Sequence, residues 1–152
     1  KLEKGDVVTI DFGAKFGGYC ADMTRNISLG EPSPKLREIF NIVLEAQQTA
    51  QNALMPGKVC SSFDKIARDI ISSYGYGEYF GHGLGHGVGI DVHESPSLNY
   101  SCNELLKPGH IVTVEPGIYL PGVGGVRIEN SCEITADGAR SMVTAPLELI
   151  VL

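Results

Sequence analysis

Residues 6–29 read DVVTIDFGAKFGGYCADMTRNISL, and this stretch decides the fold. "DVVTIDFG" (6–13) is a β-branched run and predicts a buried strand. "FGGY" (16–19) offers a Gly-Gly hairpin turn, and "CADMTRNISL" (20–29) is the returning strand. A two-residue turn at Gly17-Gly18 pairs residues whose numbers add to 35, so Asp11 faces Thr24. Asp22 lies two places along on the same face, a diagonal neighbour about 7 Å from Asp11. Two buried carboxylates this close repel strongly unless a cation joins them.

The pattern returns late in the chain. Glu115 ends the apolar run "IVTVE" in a strand predicted over "HIVTVEPG" (110–117). A Gly-rich turn, "PGVGG", leads into "VRIENSCEIT" (126–135), which reads as its partner. There Val126 and Ile128 point one way, Arg127 and Glu129 the other. A solvated sheet face would explain any one of these acids. Four of them in strongly apolar strands, with a histidine-rich segment between, point to a metal site.

That segment is "GHGLGHGVGIDVHE" (81–94), which holds His82, His86 and His93, three of the chain's four histidines. The H-x-x-x-H spacing suits zinc on a helix, but the glycines argue against a helix. It reads as a Gly-rich loop, continued by a loop through "SPSLNYSCNELLKPG". Two helices are predicted between the hairpins. Ser33 is the N-cap of the first and Pro34 its first residue. Leu36, Ile39, Phe40, Val43, Leu44 and Ala50 recur at helical spacing, and Pro56-Gly57 stops it. The second runs from about Ser62 to Tyr74 with Phe63, Ile66, Ala67, Ile70 and Ile71 on one face, and Gly75 ends it. Strands, two helices, then strands predict an α+β domain with an antiparallel sheet.

The 152 residues suffice for one core, and 43% apolar with 20% charged residues is ordinary for a globule. A net charge of −6 argues against a broad nucleic-acid surface. With no apolar run near 18 residues and no signal-peptide pattern, neither a membrane partner nor export is expected. Cys20, Cys60, Cys102 and Cys132 form no CxxC and read as reduced packing residues of a cytosolic protein. Four carboxylates and one imidazole suit two divalent ions. Oxygen-rich ligation favours Mn or Fe, and the histidine is compatible with Co and Zn. Two such ions would move the formal charge from −6 to −2.

"TIDFG", "ADMTR", "GHGLGHGVGIDVHE", "VTVEPGIY" and "GGVRIEN" each resemble a motif of the pita-bread metallopeptidases, in the same order and across essentially the whole chain. That family includes methionine aminopeptidase, aminopeptidase P and prolidase. His82, four residues before His86, and Arg127, two before Glu129, resemble the proline-specific branch. Read on their own, His82 is a loop histidine bonded to backbone and Arg127 a surface cation. His110 matches no motif and reads as structural. Tyr19, Tyr119 and Asn130 read as packing residues or as neighbours that support the site.

The resemblance implies a partial pita-bread fold, with residues 1–152 the C-terminal part of the catalytic domain of a longer protein. It implies metal ligation by Asp11, Asp22, His86, Glu115 and Glu129. Asp11 would bind one ion, His86 and Glu115 the other, and Asp22 and Glu129 would bridge. A metal-bound hydroxide would attack the scissile carbonyl of Xaa-Pro peptides or dipeptides. Glu115 would shuttle the proton, His93 would bond the carbonyl oxygen, and His82 and Arg127 would shape the proline side. The implied partner is a peptide, and the full-length protein a homodimer in the cytoplasm. Methionine aminopeptidase and a non-catalytic pita-bread binding module are the alternatives.

Overall fold

The computed structural model describes residues 1–152. Its first unit is the hairpin of the opening stretch. Strand β1 (Val7–Phe12) pairs antiparallel with β4 (Met23–Ser28), and Asp11 faces Thr24 as the turn geometry predicts. But β1 is not the buried strand expected: as an edge strand paired on one side only, it leaves Val7–Thr9 half-buried and Ile10–Phe12 exposed. The same register continues through β2 (Lys15–Phe16) and β3 (Tyr19–Cys20) at the tip. Gly17 and Gly18 have φ of 59° and 90°, the two left-handed residues that a tight hairpin turn requires.

Helix α1 (Pro34–Ala53) starts as predicted: the Ser33 hydroxyl accepts the Leu36 N–H at 3.2 Å, and Pro34 occupies the first turn. Its buried stripe is Leu36, Ile39, Phe40, Val43, Ala46 and Ala50, with Leu44 partly buried. Helix α2 (Cys60–Ser73) begins two residues before the predicted Ser62. The reason is not local: Val59 bridges Leu105, and the Cys60 N–H donates to Glu104 O at 2.8 Å. Gly75, at φ 84°, follows the end of the helix.

Two expectations for the second half are corrected. The histidine-rich segment and the residues after it are not all loop. They form β5 (Gly85–Gly87) and β6 (Glu94–Leu98), which pair with each other. Nor is "VRIENSCEIT" one strand. Strands β7 (Ile111–Val114) and β8 (Gly117–Leu120) precede it, β9 (Gly124–Arg127) pairs with β8, and β10 (Asn130–Ile134) pairs with β7. The break falls where Pro116, which has no N–H to donate, would face Ile128. The Glu129 N–H turns instead to Thr24 O of the first hairpin, at 3.2 Å. Both ladders keep one register, so Glu115 and Glu129 stand opposite each other at the junction.

Strand β11 (Ala139–Ser141) completes a five-stranded antiparallel sheet in the order β11-β10-β7-β5-β6. Strand β12 (Ile150–Val151) joins β4 in parallel, giving the three-stranded sheet β1-β4-β12. The helices pack on these sheets over a core that includes Ile39, Phe63, Leu84, Leu98, Val112, Ile118, Ile128 and Ile134. No helix is long and apolar enough to cross a membrane.

The hairpin arms nearly touch beside the two aspartates: a Cβ on Gly13 would lie 1.8 Å from Ala21 O. Gly13→Ala is expected to force the arms apart and lower unfolding free energy by about 2 kcal/mol or more. Urea unfolding of the variant against wild type measures this.

Candidate metal centre and substrate cleft

The two hairpins and β5 bring four of the five predicted ligands to one place. Asp22 sits just before β4, His86 in the middle of β5, Glu115 at the end of β7, and Glu129 between β9 and β10. One ligand atom each from Asp22, His86 and Glu129 lie within 4.8 Å of one another. His86 Nε2 is 3.1 Å from Glu115 Oε1 and 3.7 Å from Asp22 Oδ2. Its Nδ1 bonds Gly87 O at 3.0 Å, so Nε2 is the nitrogen free to ligate a metal. The Thr113 hydroxyl accepts the His86 N–H and donates to Glu115 Oε1, both at 3.0 Å, which ties β5 to β7 at the site. Thr24 donates to Glu129 Oε2 at 2.6 Å. Asp11 stands apart from the triplet. Its side chain is 54% exposed, and its Oδ2 accepts from Arg127 Nη2 at 2.5 Å.

The electrostatics are those of acids short of cations. Burial pushes the Glu129 carboxyl up to about 7, and the charges of Glu115, Asp22 and Asp11 add to the rise against the Thr24 bond. Asp22 is raised by burial and then by Asp11. Burial is the largest single influence on His86 and Glu115, but their mutual hydrogen bond, the bonds to Gly87 O and Thr113 and the neighbouring opposite charges together outweigh it, lifting the imidazole and lowering the carboxyl. Hard oxygen donors crowded around one free imidazole nitrogen fit divalent metal ions, which would remove this repulsion.

Behind the acids is a polar chain that the sequence did not disclose. Arg25 is buried, and its guanidinium donates to the carbonyls of Thr24, Glu129 and Ala145 and to Asn130 Oδ1 at 2.5–2.9 Å. Asn130 Nδ2 donates to Gln51 on α1, at 2.9 Å. Thr24 follows from the hairpin register and Thr113 from the same-face position two before Glu115. Arg25, pointing away from that face, carries no comparable signal.

The remaining predicted residues line one side. Asp11, His82, His86, Glu115, Tyr119 and Arg127 border a cleft of about 430 Å³. The Tyr119 hydroxyl joins His82 Nε2, at 2.9 Å, to Arg127 Nη1, at 3.2 Å. Arg127 is therefore not a free surface cation, and Tyr119 bridges it to His82 across the rim. His93 is exposed, with its ring centroid 4.2 Å from that of His86. His110 lies elsewhere, accepting the Lys107 N–H at 3.4 Å.

A carboxylate cage around a histidine, fed by two hairpins of a pita-bread α+β fold, defines a metallopeptidase class of site. The comparisons agree: residues 1–136 match the metallopeptidase family M24, and the chain belongs to that family. It is 49% identical over 150 residues to the Xaa-Pro dipeptidase of Pyrococcus furiosus, covering 99% of this chain and 43% of that protein. The solved Xaa-Pro dipeptidase from Bacillus anthracis superposes with a TM-score of 0.98 at 52% identity, over 99% of this chain and 42% of that one. The X-Pro aminopeptidase from Thermotoga maritima gives 0.96 at 44%, over 99% and 43%. The chain thus spans well under half the length of these relatives.

The raised Glu129 carboxyl sets a pH dependence. Its folded value, about 7, exceeds its ordinary 4.5. The stability this group contributes is fully present below pH 4.5 and is lost as pH rises through 7. Chelator-treated protein is expected to melt lower at pH 8 than at pH 5, with Glu129→Gln removing part of that fall. Manganese at pH 8 is expected to raise the melting temperature of wild type and not of the variant. Thermal scans across pH, with and without metal, check both.

Proposed function

We propose that the full-length protein is a metal-dependent peptidase that cleaves Xaa-Pro bonds at the N-terminus of peptides or in dipeptides. Residues 1–152 form the C-terminal part of its catalytic domain. The observation that carries this is the acid cage of Asp22, His86, Glu115 and Glu129, which opens on a cleft whose far rim is His82, Tyr119 and Arg127. Two divalent ions would be held by these residues: Asp11 would serve one, His86 and Glu115 the other, and Asp22 and Glu129 would serve both. Oxygen-rich ligation favours manganese or iron, and the histidine is compatible with cobalt or zinc. When bound, the ions supply a water nucleophile activated at neutral pH and polarise the scissile carbonyl.

The chain's own residues do the rest. Glu115 takes the proton of the attacking water and passes it to the leaving proline nitrogen. The Thr113 hydroxyl holds that carboxylate in place while it does so. His93 donates to the carbonyl oxygen as it gains charge. A proline nitrogen offers no hydrogen, so the site must read ring shape and, in a dipeptide, the terminal carboxylate. His82 and Arg127, already linked through Tyr119, present donors on that side. Four free cysteines suit a reducing cytoplasm. Exposed Ile10, Phe12 and Phe16 on the first hairpin suit burial in a homodimer.

The full-length enzyme, loaded with Mn or Co, is expected to hydrolyse Xaa-Pro dipeptides and to lose activity on chelation. His82→Ala and Arg127→Ala are each expected to lower kcat/KM by roughly 10-fold or more with metal content unchanged. Steady-state kinetics beside elemental analysis test this. Release of methionine from Met-Ala-Ser without turnover of Met-Pro would assign the protein to methionine aminopeptidase instead.

A further inference from the structure

The histidine-rich segment has alternating glycines from Gly81 to Gly89 and little means of holding its own shape. Something outside it must fix His82. The structure shows what does. Asp64 and Arg68 stand one turn apart on α2, with the Asp64 side chain fully buried. Asp64 Oδ2 accepts from Arg68 Nε and Oδ1 from Arg68 Nη2, both at 3.0 Å, a bidentate pair. Each partner then reaches the segment's main chain. Arg68 Nη1 donates to Phe80 O at 2.9 Å, Arg68 Nη2 donates to His82 O at 2.8 Å, and the Leu84 N–H donates to Asp64 Oδ1 at 3.0 Å. The guanidinium also lies over the Phe80 ring, 4.3 Å from its centroid. The His82 ring meets Phe80 edge-on at 5.1 Å and reaches Tyr119 with Nε2.

We infer that Asp64 and Arg68 are positioning residues that set the place of His82 in the substrate cleft. This rests on the reading of His82 as a substrate-side residue. The pair grips alternate residues, Phe80, His82 and Leu84. A Cβ at Gly83 would lie 2.8 Å from Asn99 Cβ, so the segment is pressed from the other side as well. His86 takes its main-chain bond from Thr113 rather than from the pair, so the clamp acts on His82 and not on the metal ligand. A lysine at 68 keeps the charge beside Asp64, but it cannot make the planar fork that spans Asp64, Phe80 and His82 together.

The test is a double-mutant cycle in the metal-loaded full-length enzyme, with His82→Ala, Arg68→Lys and the pair combined. Arg68→Lys is expected to lower kcat/KM for Xaa-Pro dipeptides threefold to tenfold at unchanged metal content. In the His82→Ala background the same change is expected to cost less than twofold, because a clamp that works through His82 has nothing left to position. Equal losses in both backgrounds would overturn the inference. A second readout does not depend on activity. In histidine-labelled protein, Arg68→Lys is expected to move the ring resonances of His82 and to leave those of His110 in place. Unmoved His82 resonances would also overturn it. An enzyme that cleaves no Xaa-Pro substrate, or one indifferent to His82→Ala, would instead defeat the functional reading, while the resonances would still decide the clamp.

Discussion

Mutual repulsion among buried acids is the constraint around which this chain is built. Glu129 is 1% exposed, and Asp22 and Glu115 stand beside it with only a histidine between. No packing argument favours that arrangement, because each acid would be more stable in water. It persists because the backbone leaves no alternative. The first hairpin fixes Asp11 and Asp22 through one register, and the second pair of ladders fixes Glu115 opposite Glu129 through another. The Thr24–Glu129 bridge locks the two units together where charge is densest. Threonine hydroxyls donate to the carboxylates of Glu129 and Glu115, and the Arg25 guanidinium donates to the Glu129 carbonyl.

Arg127 shows how the same constraint shapes the rim. Its guanidinium donates to Asp11, Thr24 and Tyr119 and stands 3.8 Å from Glu115. Burial alone would favour the neutral form, but the Tyr119 bond and the charges of Asp11 and Glu115 outweigh it, and the pKa is raised. One cation thus offsets two acids of the cage while facing the cleft. A lysine there would keep the charge and lose the fork that touches three partners at once.

The parts of the fold written in local chemistry were legible. The β1–β4 register followed from Gly17-Gly18, and the start of α1 followed from Ser33 and Pro34. The gathering of Asp22, His86 and Glu129, with Glu115 beside His86, was legible through charge out of place and through family resemblance, while Asp11 stands apart from them. What escaped was set by distant partners. The start of α2 depends on Glu104 and Leu105, more than 40 residues away. The break between β9 and β10 depends on Pro116 facing Ile128, which shows only once both ladders are aligned. The i, i+4 spacing of Asp64 and Arg68 gives no sign that the Asp64 side chain is fully buried, since helical spacing does not reveal what lies over a helix face.

The histidine-rich segment was the hardest to read because its signal is written in absence. Alternation with period two is the mark of a strand, and here the alternating residue is glycine rather than an apolar side chain. A Cβ at Gly85 would lie 2.0 Å from Thr113 O, and one at Gly87 would lie 2.4 Å from Ser95 O. Those clearances are the spaces between β5 and its neighbours β7 and β6, so the glycines mark where main chains meet. With one set of positions stripped to hydrogen, the strand can sit between two others close enough for Thr113 to hold both His86 and Glu115. The imidazole then reaches Glu115 from a strand packed tightly against β7. A side chain at Gly85 would gain β-propensity and lose the site, which is why a segment poor in every ordinary strand former is nonetheless a strand.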